Sequence, residues 1–354
     1  MLSPRIRRSL VRQFRESAMA KIGVVLILLI VIVAVFAPFL APHDPTAQDL
    51  DVSQQPPVGF GSTSTEEVPV QENGSVVIED GNIVTEERTV TENTSWSHAL
   101  GTDGNGRDVL SRVIYGARTS MIVGIAGTLL AAVFGVVVGL TAGYYGGRVE
   151  DTLMRASDIM LAFPSLVLAI ALVGVWGTAG IKIPDPLVVS GLSETIRSAL
   201  GLAVGMPETI TVPGTVIIVV ALVNWVWFAR VARGEALSLR GQEYVKAARA
   251  VGANNSYIIR KHVFPNAITP IMVLATIQVA AIILLESALS FLGFSGTNLS
   301  WGFDISQGRQ FQSTSWWIAT MPGLAIVLTV IGLNLVGDWL RDALDPDIGG
   351  EGGV

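Results

Sequence analysis

Long apolar stretches alternate with polar segments along this chain. Six of these stretches contain no Asp, Glu, Lys or Arg, and each can cross a hydrocarbon layer, which takes about 20 helical residues. Backbone groups in lipid need hydrogen-bond partners within their own segment, so each stretch is predicted to be a helix. The predicted spans are residues 22–41, 119–143, 159–181, 209–229, 263–285 and 310–337.

This pattern predicts an all-α integral membrane protein with six transmembrane helices. The first span follows a basic segment, residues 1–21. Its apolar run is longer than the roughly 7–15 residues of a secretion signal, and no small-x-small cleavage site follows it. We therefore expect an uncleaved anchor helix.

Basic residues are distributed unevenly between alternate loops. With the N-terminus inside, the inner segments carry sixteen Lys and Arg and the outer segments seven. Cytoplasmic loops are the ones enriched in Lys and Arg. The sequence therefore predicts a multi-pass protein of the cell (plasma) membrane with both termini cytoplasmic, including a C-terminal tail at residues 347–354.

The extracytoplasmic loop at residues 42–118 carries most of the acidity of the chain. Residues 43–99 hold eleven Asp or Glu and one Arg, while the whole chain has a net charge of −6. Branched residues around Asp80, Gly81 and Asn82 predict a small β-hairpin within this acidic insert. The acidity fits a high-salt environment, where charges are screened, and it fits an external partner equally well.

A second outer loop, residues 182–208, has apolar residues at helical spacing. The residues with this spacing are Leu192, Ile196, Ala199, Leu200 and Ala203. They predict a short helix that either lies on the membrane surface or docks an external partner.

Composition excludes several kinds of chemistry. Only 15% of the residues are charged, against about 25% in typical soluble proteins. The absence of cysteine excludes disulfides, thiolate metal sites and cysteine nucleophiles. The histidines, His43, His98 and His262, lie far apart in sequence, which argues against a His-rich metal site. Because the sequence also lacks a Gly-x-Ser-x-Gly elbow and an evident carboxylate pair, we expect neither a metal site nor a catalytic residue.

The inner loop at residues 230–262 is long for a connection between packed helices. Residues 241–251 have helical character, and Gly252 suits the left-handed position that ends a helix. Good N-cap residues follow at Asn254, Asn255 and Ser256, and they predict a second short helix that ends before Pro265. The loop therefore predicts either a projection that another protein can contact or a basic segment that touches lipid phosphates.

Polar residues within the spans are candidates for a transport pathway, because they are costly unless they face protein or water. The candidates for a pathway or gate are Asn224, Gln278 and Asn334 within the spans and Glu286 at the outer end of the fifth span. In the second span, Gly135, Gly139 and Gly143 form two overlapping Gly-x-x-x-Gly units, which predict close helix packing within the bundle.

The inner loop resembles the Glu-Ala-Ala…Gly…Ile-x-Leu-Pro loop of ABC importer permeases. Lys246-Ala247-Ala248, Gly252 and His262-Val263-Phe264-Pro265 have the same spacing. Lys246 replaces the family's Glu, and Glu243 offers an acidic side chain one turn earlier. Further segments resemble the second, C-type permease subunit of the dipeptide, oligopeptide and nickel group of importers. These segments are residues 100–118, 158–164, 286–293 and 337–346.

The resemblance implies a type I ABC importer permease-like fold with a permease core at residues 119–346. It implies that this chain forms half of a translocation path for peptides (dipeptides or oligopeptides), and that the loop couples the path to separate ATPase subunits. The coupling residues would be Glu243, Lys246, Ala247, Ala248, Gly252, His262, Phe264 and Pro265.

The resemblance also implies partners. They are a second related permease subunit (a heterodimer), two ATP-binding cassette subunits, an extracytoplasmic substrate-binding protein and membrane lipid, without nucleic acid. No lysine of this chain follows a glycine, so the Gly-x-x-x-x-Gly-Lys-Ser/Thr loop that cradles phosphates is absent. We therefore expect no cofactor on this chain, with ATP and Mg used by the partner subunits. A nickel or other small-solute permease and an ATP-independent secondary transporter remain as alternatives.

Overall fold

The computed structural model describes residues 11–61, 63–69, 71–72, 75–76, 78–79, 82–83, 85–91 and 94–344. The predicted tail at residues 347–354 and the first ten residues of the basic N-terminal segment lie outside the described residues.

Helices dominate the described chain, as predicted. In chain order the α-helices are α1 (Ala18–Val35), α2 (Ala37–Leu40), α3 (Val109–Tyr145), α4 (Gly147–Leu161), α5 (Ser165–Trp176), α6 (Pro186–Val189), α7 (Leu192–Ala199), α8 (Gly214–Leu239), α9 (Glu243–Ala250), α10 (Asn255–Ile258), α11 (Phe264–Phe291), α12 (Trp301–Gly308) and α13 (Trp317–Leu344). Shorter helical turns lie at Leu50–Val52, Trp96–His98, Ile259–Val263 and Arg309–Phe311.

Five helical segments of the described chain are long and apolar enough to cross a membrane. They are α1, α3, α8, the continuous segment Asn255–Phe291 and α13. Their bounds differ from the predicted ones in both directions. Three ends lie inside the predicted spans, since α1 ends at Val35, α8 begins at Gly214 and α13 begins at Trp317. Other ends extend past the charge-free core of a span. α3 starts ten residues before the predicted residue 119, and at about 1.5 Å per residue it is roughly 55 Å long. α8 likewise continues to Leu239, well into the predicted loop at residues 230–262.

The predicted span at residues 159–181 is wrong as a single helix. α4 and α5 meet at an angle of 89° across a break at residues 162–164. Pro164 lies immediately before α5, and proline disfavours helical backbone in the residue before it. α5 has 12 residues and is shorter than the roughly 20 residues needed to cross the membrane alone. Together α4 and α5 are long and apolar enough to form one bent span, which would be the sixth.

The core of the bundle is the contact between α3 and α8. Gly135, Gly139 and Gly143 lie against α8 so closely that a Cβ on Gly139 would stand 2.2 Å from the carbonyl oxygen of Ala229. Small residues allow backbones to approach in this way, which confirms the predicted packing surface. α11 packs on both helices of this pair, and α1 packs on α13.

Short strands lie in the two loops that are predicted to be extracytoplasmic. They are β1 (Thr63–Pro69), β2 (Gln71–Glu72), β3 (Ser75–Val76), β4 (Ile78–Glu79), β5 (Asn82–Ile83), β6 (Thr85–Thr91), β7 (Ile181–Pro184) and β8 (Thr209–Val212). The antiparallel pair β4–β5, with Glu79 opposite Asn82, confirms the predicted hairpin. β1 pairs with β6, and β7 pairs with β8 at the two ends of the loop at residues 182–208.

The predicted helix in the loop at residues 182–208 is α7, and it is fixed to α2 and the residues that follow α2. Arg197, which is buried in α7, donates hydrogen bonds to the carbonyl oxygens of Pro38 (3.0 Å), Ala41 (2.6 Å) and Pro42 (3.0 Å). A buried ion pair also joins Arg118 of α3 to Asp185 in the same loop. The loop is therefore a folded segment held against α2 and α3 rather than a loose connection.

Candidate functional site

The segment between α8 and α11 forms a projection, defined here as residues 240–263. α9 ends before Gly252, whose φ of +85° is a left-handed conformation that favours glycine. Asn254 then caps α10, since its side chain accepts a hydrogen bond from the backbone N–H of Tyr257 at 2.8 Å. The predicted helix, glycine break and capped second helix are confirmed.

The prediction that the second helix ends before Pro265 is wrong. α10 continues through a π-helical turn, Ile259–Val263, directly into α11. The π-helical turn just before Pro265 is the kind of local adjustment that allows a proline within a continuous helix. Asn266 also donates from its side-chain amide to the carbonyl oxygen of His262 at 2.6 Å. A rigid connection therefore links the projection to a membrane-spanning helix.

The underside of the projection is buried against the end of α3. Val245, Ile258 and Val263 are fully buried in one apolar cluster that includes Tyr144. The hydroxyl of Tyr144 donates to Asn255 Oδ1 at 3.1 Å and accepts from the guanidinium of Arg249 at 3.3 Å. These contacts hold α9, α10 and α3 together.

The opposite face of the projection is exposed. Lys246, Ala247 and Gly252 are exposed and Ala248 is half-buried, while Val251 is 84% exposed. Lys246 pairs with Glu243 at 2.9 Å, so the acidic side chain one turn earlier is engaged by the residue that replaces the family's Glu. An exposed pair of this kind contributes little to stability, which leaves both charges available to a partner.

The remaining predicted coupling residues lie at the base of the projection. His262 is half-buried, and its ring centre lies 5.9 Å from that of Tyr257 and 6.2 Å from that of Tyr244. Phe264 and Pro265 are exposed at the start of α11. The structure therefore places the eight predicted residues on one contiguous element.

Ion pairs that sequence reasoning missed attach α4 to α8 beside the projection. Arg233 donates to Glu150 at 2.6 Å, and Arg230 donates to Asp158 at 2.7 Å. Arg240 reaches the carbonyl oxygen of Gly143 at 3.0 Å. The sequence did contain a signal for these pairs, because the two segments carry opposite charges and were predicted on the same side of the membrane.

The four predicted pathway residues are not brought together by hydrogen bonds. Asn224 donates to Val220 of its own helix at 2.8 Å, and Gln278 is buried. Glu286 is fully buried and accepts hydrogen bonds from Ser290 (2.6 Å) and Ser120 (3.2 Å). Asn334, in α13, is exposed.

Two family models match the chain. Residues 135–350 match the binding-protein-dependent transport system inner membrane component. Residues 7–57 match the N-terminal TM domain of oligopeptide transport permease C.

Several curated proteins are similar over most of their length. The dipeptide transport system permease protein of Alkalihalophilus pseudofirmus is 39% identical over 71% of this chain and 73% of its own. The probable D,D-dipeptide transport system permease protein of Escherichia coli is 30% identical over 97% and 92%. The oligopeptide transport system permease protein of Bacillus subtilis is 31% identical over 95% and 88%. The solved inward-facing MetNI methionine ABC transporter gives a TM-score of 0.46 at 17% identity, over 66% of this chain and 96% of that chain.

Proposed function

Because this chain belongs to the family of binding-protein-dependent transport system inner membrane components, we propose that it forms half of the path through which an importer moves peptides. The chain is a multi-pass membrane permease subunit of the ABC importer class. The names of its relatives in three organisms refer to dipeptides or oligopeptides, which supports peptides over nickel as the cargo.

The observation that carries the coupling proposal is that the projection has a buried, well-packed base and an exposed tip. Its base is fixed by fully buried Val245 and Ile258, while the apolar side chain of Val251 at its tip is 84% exposed. Because single exposed apolar residues are common on protein surfaces, it is the whole exposed face, with Lys246, Ala247 and Gly252 at the spacing of the family's loop, that fits a surface covered by another protein. We propose that this cover is an ATPase subunit.

The energy source follows from the same proposal. Two ATP-binding cassette subunits would hydrolyse ATP with Mg, and their closure would move the projection. The rigid connection through Ile259–Val263 to α11 would carry that movement into the membrane. An extracytoplasmic binding protein would deliver peptide, and both termini would face the cytoplasm.

Half a path also requires a second permease chain. Asn334 is exposed on the membrane-spanning helix α13, and an amide facing lipid is costly. We therefore propose that Asn334 faces the second permease or the path itself. Asn224, Gln278 and Glu286, which are buried within this chain, would act by shaping the helices.

A substitution at the tip tests the coupling proposal. Val251→Asp is expected to weaken co-purification of the ATPase subunits and to lower peptide-stimulated ATP hydrolysis. Val149→Asp, at a residue of α4 that is 42% exposed, is the matched control and should change neither. Equal ATPase recovery and equal hydrolysis in the Val251→Asp importer would contradict the proposal.

Uptake into proteoliposomes tests the cargo and the energy source. Labelled dipeptide should enter only with ATP and the binding protein, whereas nickel should not enter. Nickel uptake without peptide uptake would favour the small-solute alternative. Peptide uptake that persists without ATP would favour a secondary transporter.

A further inference from the structure

Two of the three histidines, although distant in sequence, meet at the outer end of α3. The rings of His43 and His98 stack with centres 4.6 Å apart. Asp108 lies against both, with carboxylate oxygens 3.1 Å from Nδ1 of His98 and 3.9 Å from Nδ1 of His43. One ligand atom from each residue fits within a set whose members all lie within 4.8 Å of one another.

Rigid elements present these three side chains. His43 follows α2, His98 ends the turn Trp96–His98, and Asp108 is the N-cap of α3. Ser111 fixes the arrangement, because its backbone N–H and hydroxyl donate to Asp108 Oδ2 at 2.8 and 2.6 Å. The same hydroxyl accepts from the backbone N–H of His43 at 3.0 Å. Such supporting hydrogen bonds orient metal ligands in proteins.

The carboxylate of Asp108 has no guanidinium partner, unlike the buried aspartates near it. The other buried aspartates of the described outer face are each paired with a guanidinium group. These pairs are Asp103 with Arg107, Asp185 with Arg118 and Asp304 with Arg112. Asp108 is equally buried, yet it faces only two imidazoles and Ser111, and buried charges are normally paired or coordinate a metal.

His43 supplies a second sign that a cation belongs here. Its Nδ1 atom is buried and has no hydrogen-bond partner within the described part of the chain. A ring nitrogen in this state carries a lone pair or a proton with nothing to receive it. A cation between His43 and Asp108 would satisfy both groups.

We propose that His43, His98 and Asp108 bind one divalent transition-metal ion of the Zn²⁺ class. Zn²⁺ takes imidazole nitrogens and carboxylate oxygens at about 2.0–2.2 Å, so tetrahedral ligands lie about 3.3 Å apart. The separations of 3.1 and 3.9 Å approach that value, and small side-chain rotations complete the site. With three protein ligands, a fourth position is left for water.

The site goes beyond the proposed transport function. The ion would join the end of the first span, the segment that returns from the acidic insert and the start of α3. It would therefore be a structural ion on the outer face, and its presence does not depend on which solute the importer moves.

Metal binding to the purified, full-length chain in its complex tests the proposal, without a polyhistidine tag. Metal analysis after dialysis against Zn²⁺ should find one ion per chain. Co²⁺ in its place should give the intense visible absorption of a four-coordinate nitrogen and oxygen site. His43→Gln and His98→Gln should each weaken Zn²⁺ binding by at least about 100-fold, more than the loss of an outer-shell partner causes.

His262→Gln is the matched control, since His262 lies on the projection and should leave Zn²⁺ binding unchanged. Wild-type stoichiometry well below one ion per chain would overturn the proposal. Unchanged Zn²⁺ affinity in His98→Gln would also overturn it. The Co²⁺ spectrum of the wild-type chain keeps the test valid if a histidine variant fails to fold.

Discussion

The conformation of Gly252 should determine how well the projection functions. A Cβ at a left-handed position costs about 1–2 kcal/mol. No atom lies within 4 Å of where the Cβ of residue 252 would stand, so the whole cost comes from the backbone. A penalty of this size lowers the ratio of the native turn to other conformations by roughly 5–30-fold. Gly252→Val should therefore insert normally and lower transport by up to that factor.

The assay is the initial rate of ATP-dependent peptide uptake by the complete importer at equal membrane abundance. Asparagine adopts left-handed backbone more readily than other non-glycine residues, so Gly252→Asn should retain most of the activity and Gly252→Ala an intermediate level. Gly241→Ala is the matched control, because Gly241 has no positive φ and its Cβ would meet only Ser238 O at 3.7 Å. Wild-type uptake in Gly252→Val, or equal defects in the Val and Asn variants, would refute the reasoning.

Three further predictions concern packing and buried charge. Gly139→Ala should force α3 and α8 apart and lower the free energy of unfolding by about 1–3 kcal/mol. Gly174→Ala is the control, because the added Cβ would meet no atom within 4 Å. Equal unfolding temperatures for the two variants would argue against the close contact. Arg197→Lys should expose the loop at residues 182–208 to proteolysis, since an ammonium lacks the planar fork of donors; an unchanged cleavage rate would show that the carbonyl contacts are dispensable. Arg112→Met should lower stability by about 3–5 kcal/mol by leaving the buried carboxylate of Asp304 unpaired, and replacing both residues by apolar ones should recover part of this loss, as measured by denaturant unfolding.

Features encoded by local pattern could be predicted from the sequence. Charge-free length located the helices, and the glycine spacing on α3 identified its packing face. The left-handed turn at Gly252 and the cap at Asn254 follow from the backbone preferences of single residues. These properties need no knowledge of which helices become neighbours.

Features that depend on tertiary contact could not be predicted in this way. His43 and His98 are separated by the whole acidic insert, so their distance in sequence gave no hint of their stacked rings. The burial of Arg197 depends on carbonyl groups 155–159 residues away. Pro164 was a local signal for the break between α4 and α5, but the prediction of this span followed the length of the apolar stretch instead.

The length of α3 has a mechanical consequence. This helix begins at the cap formed by Asp108 and ends beside Tyr144, and its glycines press it against α8 between these ends. Such close backbone contact resists sliding, so the two helices should tilt together as one lever. A small rotation of α3 at Tyr144 would then also move the opposite end of this helix, where the segments that carry His43 and His98 contact Asp108.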